Sequence, residues 1–299
     1  MTFDCIGFGA LNVDRLHHVE QIAKGGEESI VTGHEEHPGG SAANTMVALA
    51  RLGNKVGYIG KVADDESGKL LLRNFAEEGV DTRGIVIAKT GASGQVMGYV
   101  DKKGERALYV EPGVNDSLTF EEINLDYAAS TGFLHLTSFI GERSLQSQKK
   151  VVELLTSVRI SFDPGMIYAS KGLNIIRPLL RRAHVVFPNA SELKLLTGEG
   201  PQEGSKILLR EGTEIVAVKL GEGGCYVTDG SREYWIEAYP VKAVDTTGAG
   251  DAFCAGFLHG LINGETIETC GRLGNFVASR KLTKMGARDG LPRRDQLSL

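Results

Sequence analysis

A chain of 299 residues with 33 Lys and Arg against 38 Asp and Glu, a net charge of -5, has no basic surplus to hold a nucleic acid or an anionic membrane surface. Its 41% hydrophobic and 24% charged residues lie in the ordinary globular range, which excludes a disordered or fibrous chain. Cys5, Cys225, Cys254 and Cys270 show no C-x-x-C spacing, no apolar run approaches the ~20 residues of a membrane span, and Met-Thr-Phe-Asp-Cys-Ile-Gly lacks a signal-peptide pattern, so a cytoplasmic protein with reduced thiols is expected.

The first apolar run, Phe3 to Phe8, predicts a strand buried on both faces, with Asn12-Val13-Asp14 at its exit. Asn and Asp at such a place are ordinary turn residues. Residues 12 to 38 are then poor in strand alternation and in helical pattern. Pro38-Gly39-Gly40 leads into a helix over Ser41 to Leu52, with Ser41 placed to cap it and Gly53 to stop it. A strand at Val56 to Ile59 and a helix at Ser67 to Glu78, stopped by Gly79, continue the alternation. Gln95 to Val100 and Arg106 to Val110 break it, since Asp101-Lys102-Lys103-Gly104 between them is a hairpin signal. Strands at Phe133 to Leu136, Ile160 to Phe162, Val185 to Phe187 and Ile215 to Val218 follow, with helices at Ser144 to Ser157, Asp251 to Asn263 and Thr266 to Thr283. Continuously apolar strands between helices mean an α/β protein, doubly wound, with a mainly parallel sheet flanked by helices. A small antiparallel β lid is expected from about 12–38 and 94–112, within a single domain over 1–299, because no linker or repeat marks a second one.

The chemistry concentrates in Val244-Asp245-Thr246-Thr247-Gly248-Ala249-Gly250-Asp251. Gly248, Ala249 and Gly250 have almost no side chain and enter a helix whose first N–H groups and positive dipole end form an anion hole. Asp251 alone would be a helix cap. Beside bare N–H groups it is also what phosphoryl transfer needs: the amides take charge on the transferred group and the carboxylate accepts the proton of the attacking hydroxyl. The chain has no Walker A loop and neither the H-R-D nor the D-F-G motif of protein kinases.

The run D-T-T-G-A-G-D-A-F resembles the second signature of the ribokinase-like (PfkB) sugar and nucleoside kinases, and P-G-G-S-A-A-N-T resembles the first, in the form of the archaeal nucleoside-kinase-like and adenosine-kinase-like members. The likeness spans roughly residues 3 to 292. It implies the ribokinase-like fold, ATP as donor with ADP as the alternative, and Mg2+. It makes Asp251 the base, with Asn12, Asp14, Gly39, Gly40 and Asn44 holding the acceptor. It sets Asn189 and Glu192 of an N-x-x-E motif near the phosphates, with Glu192 reaching Mg2+ through water. Lys219, Gly221 and Gly224 then lie along the nucleotide, and Asn275 sits beside the adenine. Asp245, Thr247 and the backbone near Gly286 resemble a monovalent-cation loop for K+.

Ribokinases proper carry Lys after the glycine pair and an acidic residue after the fourth buried strand, where this chain has Ser41 and Thr137. That points away from free ribose and toward the 5′-hydroxyl of a nucleoside, with Met97 and Tyr109 available to cover the base. A kinase for ribose, ribose 1-phosphate, fructose or ketodeoxygluconate is the alternative, and a non-catalytic sugar- or nucleotide-binding regulator is the other. The expected partners are a small molecule and a second copy of the chain, docked through the lid.

Overall fold

The computed structural model describes residues 2–102 and 105–297, so Lys103 and Gly104 of the expected hairpin turn lie outside the described residues. Among the described residues the strands are β1 (Phe3–Phe8), β2 (Asn12–Val19), β3 (Val31–Gly39), β4 (Val56–Ala63), β5 (Asp81–Ala88), β6 (Gly94–Val100) and β7 (Arg106–Glu111). They continue with β8 (Thr131–Leu136), β9 (Arg159–Phe162), β10 (Ala183–Val186), β11 (Ile215–Lys219), β12 (Cys225–Thr228) and β13 (Glu233–Ile236). The helices are α1 (Ser41–Arg51), α2 (Glu66–Glu77), α3 (Leu125–Ala129), α4 (Glu142–Leu154), α5 (Gly165–Lys171), α6 (Leu173–Leu180), α7 (Ala190–Thr197), α8 (Pro201–Arg210), α9 (Ala249–Ile262) and α10 (Ile267–Lys281). None of them is long and apolar enough to cross a membrane.

One sheet runs β13-β12-β11-β10-β9-β8-β1-β4-β5. Its pairs are parallel from β11 to β5, and the β12–β13 hairpin is added antiparallel at one edge. The apolar runs become strands covered on both faces: every residue of β4 is buried, as are Cys5, Ile6 and Phe8 of β1. On one face α1, α9 and α10 supply core residues such as Met46, Phe257 and Val277, and on the other α4 to α8 supply Leu145, Tyr168, Leu179, Leu193 and Leu208. Phe253 and Phe257 of α9 meet Phe187 edge-on, which seats that helix against the strand ends. The functional residues gather at the carboxyl ends of β1, β8, β9, β10 and β11, where an open α/β sheet binds its ligands.

The second sheet, β3-β2-β6-β7, is built from the two segments expected to form a lid. It is not antiparallel throughout, because β2 pairs antiparallel with β3 and parallel with β6. Its register decides which side chains reach the site. Asp14, Val96 and Val110 are neighbours on one face, while Met97 and Tyr109, paired with each other, lie on the opposite face.

Candidate active site

Asp251 occupies the first turn of α9, whose N-cap is Gly248. It caps nothing. Its Oδ1 accepts a hydrogen bond from Ser41 Oγ at 2.7 Å and its Oδ2 one from Asn44 Nδ2 at 2.9 Å. Ser41 does not cap α1 either, since the N-cap is Gly40 with no side-chain cap. Burial raises the Asp251 carboxyl above its ordinary value, against the hydrogen bonds from Asn44 and Ser41. Asn44, expected to grip the acceptor, is mostly committed to the protein, because its Oδ1 also accepts from Arg288 Nε at 2.8 Å. That bond fixes which end of the amide faces Asp251. Arg288 is buried, reaches Asn74 through Nη1, and among the described residues has no hydrogen-bond partner for Nη2.

The glycine pair has two separate reasons. An added Cβ on Gly39 would overlap the Asp14 carboxylate, and Gly40 has φ 107 with Ala10 O in the path of any side chain. In the anion hole the three expected residues also divide. Gly248 supplies the left-handed turn at φ 76, and the Ala249 N–H is spent on Thr246 O at 3.2 Å. Among the described residues, the N–H groups of Gly250 and Asp251 have no protein acceptor and open the helix end.

Beside this helix end lies a buried charge cluster that the sequence reading only half contained. Lys219 Nζ and Asp163 Oδ2 form an ion pair at 2.5 Å, and the position of a Cβ on Gly250 would be 3.5 Å from Lys219 Nζ. Burial is the largest influence on Lys219 and opposes its charge, but the neighbouring negative groups, Asp163 foremost, together outweigh it and the ammonium is held above its ordinary value. Lys219 thus sits under the anion hole. Asn189 and Glu192 form a capping box on α7, Asn189 Oδ1 accepting from Glu192 N at 2.9 Å and Glu192 Oε2 from Asn189 N at 2.8 Å. Burial and the Asp163 charge push the Glu192 carboxyl up. An all-oxygen, anion-rich setting of Glu192, Asp163 and Asp251 fits a hard divalent cation. Among the described residues no three such side chains converge as a cage.

Of the other expected nucleotide contacts, Gly221 (φ 61) and Gly224 (φ 80) shape the turn between β11 and β12, and a Cβ on Gly224 would overlap Ile236 O. Asn275 is buried and gives Nδ2 to Ile236 O and Glu237 O, both at 3.0 Å. It therefore pins the exit of β13, and its amide nitrogen is not offered to an adenine. The expected cation loop is also changed: Lys281 Nζ lies 2.7 Å from Asp245 O.

A cavity of about 160 Å³ opens over Gly40 and Ser41, lined also by Asn12, Asn115, Asp116 and Thr137. Asn12 Oδ1 is held by Asn115 Nδ2 at 3.1 Å. Asp116 was not legible as a site residue, yet among the described residues its buried Oδ1 has no partner, and Gly141 leaves it room, since a Cβ there would sit 2.6 Å from its Cγ. Burial raises Asp14 to about 6, with Arg288 and His37 lowering it. As pH falls through about 6 the carboxylate takes up a proton and loses an acceptor for O–H donors. kcat/KM for the acceptor should therefore bend down below about pH 6, and the bend should vanish in Asp14→Asn. A wild-type profile without that bend would remove Asp14 from the acceptor site. Met97 and Tyr109 line a different groove, with Val19, Ile22, Val31 and Tyr99, on the outer face of the small sheet. They do not cover the cavity.

The profile of the pfkB family carbohydrate kinases matches residues 3–294. An uncharacterized sugar kinase of Archaeoglobus fulgidus is 49% identical over 250 residues, 83% of this chain and 99% of that protein. An ATP-dependent ribose-1-phosphate kinase of Halopiger xanaduensis is 33% identical, across 94% of this chain and 92% of its own. Among solved structures, the ribokinase of Thermotoga maritima superposes with a TM-score of 0.88 at 25% identity, covering 98% of this chain and 97% of that one.

Proposed function

Because the chain belongs to the pfkB family of carbohydrate kinases and is a phosphotransferase with an alcohol acceptor, we propose that it moves the γ-phosphoryl of ATP to the hydroxymethyl group of a small sugar, with Asp251 as base. The observation that carries this reading is the seating of Asp251. Both of its oxygens are oriented by Ser41 and Asn44 beside the open N–H groups of Gly250 and Asp251, so a proton acceptor and an anion hole share one helix end. Asn12 and Asp116 of the cavity, with the Asp14 carboxylate against the neighbouring Gly39, hold the acceptor hydroxyls, and Lys219 adds positive potential below the transferred group. Glu192 would hold Mg2+ through water, which would supply charge to offset that of the phosphates. The small sheet acts as a lid that excludes water from one domain spanning 1–299. Its outer face, with exposed Val31 and Tyr109 around a groove of about 420 Å³, docks a second copy, and the protein works in the cytoplasm.

The nucleoside reading stands second. In its favour, Val110, Ile140 and Ile167 expose apolar side chains at the cavity, a setting for a flat base. Against it, the cavity is small beside the ~300–1,000 Å³ of sites for larger ligands, and Met97 and Tyr109 face away.

The test is a phosphorylation screen with ATP over ribose, fructose, ribose 1-phosphate, ketodeoxygluconate, inositol and ribonucleosides. A sugar should give the highest kcat/KM, and Asp116→Ala should raise its KM about tenfold or more with little change in kcat. Nucleosides turned over best, with no sugar phosphorylated, would replace the sugar by the second reading. Transfer to no acceptor at all would leave a regulator on this fold.

A further inference from the structure

In the loop that resembles a monovalent-cation site, both carboxylate oxygens of Asp245 and the Leu282 carbonyl already have donors. Asp245 Oδ1 accepts from Thr247 N at 3.0 Å and from Thr247 Oγ1 at 2.8 Å, and Asp245 Oδ2 accepts from Gly286 N at 2.9 Å. Leu282 O accepts from Val244 N at 2.8 Å. Into the same loop comes Lys281, from the last turn of α10 and fully buried. Its Nζ donates to Asp245 O at 2.7 Å and to Lys284 O at 3.4 Å, and lies 3.8 Å from Asp245 Oδ2. We infer that the ammonium of Lys281 takes the place of a bound monovalent cation, so that this kinase carries the positive charge of that loop covalently and works without K+.

The physical argument is one of exclusion. K+ needs a shell of oxygens, and an ammonium needs acceptors for three N–H donors. Two positive charges within contact distance in a buried site repel strongly, so occupation by one removes the other. A buried Lys is tolerated only with a partner, and here the Asp245 carboxylate supplies the charge and two carbonyls supply the acceptors. The benefit falls on the anion hole. The clamped loop runs from Val244 through Thr247 into Gly248, which packs against Ala287 and sets the start of α9. Lys281 is thus a positioning residue for the N–H groups of Gly250 and Asp251, and K+ is absent from the groups this loop has room to hold.

The inference rests on the kinase reading but not on which acceptor is used. Its test compares the melting midpoint and MgATP affinity of the wild-type chain in KCl, NaCl and choline chloride at equal ionic strength. All three salts should give the same values, and turnover on the acceptor found by the screen should be equally indifferent. Lys281→Met should lose MgATP affinity several-fold in choline chloride, and should regain part of it, with a higher midpoint, in KCl, because an opened site binds the ion and is stabilised by it. A wild-type chain whose midpoint, nucleotide affinity or turnover rises several-fold in KCl over choline chloride overturns the inference. So does a folded Lys281→Met chain with wild-type nucleotide affinity in choline chloride. If the variant does not fold, the wild-type salt series decides alone. The melting series needs neither acceptor nor nucleotide, so its failure is separable from failure of the kinase reading.

Discussion

Asp251→Asn should bind MgATP as the wild type does and lose on the order of 10²–10⁴ in turnover. An amide has the shape of the carboxylate, and it can still accept from Asn44 Nδ2 while Ser41 Oγ turns to accept from it, so the local packing is kept. It cannot take a proton from the attacking hydroxyl. The stability of the same variant moves the other way. Burial raises the folded-state carboxyl of Asp251, so the unfolded chain ionises first, and the fold loses stability as pH rises above the ordinary value of 3.8. A neutral isostere escapes that loss, and Asp251→Asn should melt at or above the wild type at neutral pH. Kinetics and a thermal melt on one preparation check both statements. Wild-type turnover would sink the base assignment, and a markedly lower melting point would show that the charge holds the fold together.

Lys219→Met should cost about 3–5 kcal/mol of stability, because it leaves Asp163 buried with no cation beside it and with the Glu192 charge close by. The pair is worth less than this figure suggests, since much of the loss is the strain of an abandoned charge. Lys219→Met with Asp163→Asn should therefore recover most of the stability, and urea unfolding of the four chains of the cycle measures the coupling. Additive single effects would mean that Lys219 and Asp163 do not depend on each other. Turnover should stay low in the double variant, since the positive potential 3.5 Å from the Cβ position of Gly250 is gone either way.

The strands of the parallel sheet could be read because burial on both faces writes them as largely apolar runs, as in Phe3–Phe8 and Val56 to Ile59. β5 was missed because it is an edge strand with Gly84 inside and only one residue in its middle buried. β12 and β13 were missed although Asp229-Gly230 between them is a turn signal. Helices α5 to α8 run 7 to 10 residues, too short for a clear period, and α6 contains Pro178.

At the candidate site, motifs picked out Asp251, Asp14 and Glu192, but not what they touch. Ser41 has the local look of a cap, and only a contact 210 residues away turns its hydroxyl to Asp251. Asp163 follows a strand without a motif, Asp116 sits in a short turn, and Arg288 is one more charge near the end of the chain. Each becomes meaningful only through partners that pattern reading does not reach. Asn275 and Gly224, which match a nucleotide motif, also carry backbone architecture that the motif does not reveal.

The Asp251 carboxylate, the proposed base, is held by Ser41 and Asn44 near the start of the chain, and Asn44 in turn by Arg288, 244 residues further on. A ribosome makes these groups in that order, and domains fold as units once enough chain has emerged. A nascent chain that has released α1 and even α9 still lacks the guanidinium that orients Asn44. Orientation of Asp251 is thereby tied to synthesis reaching Arg288, and a product truncated before Arg288 should be inert even where its sheet has formed.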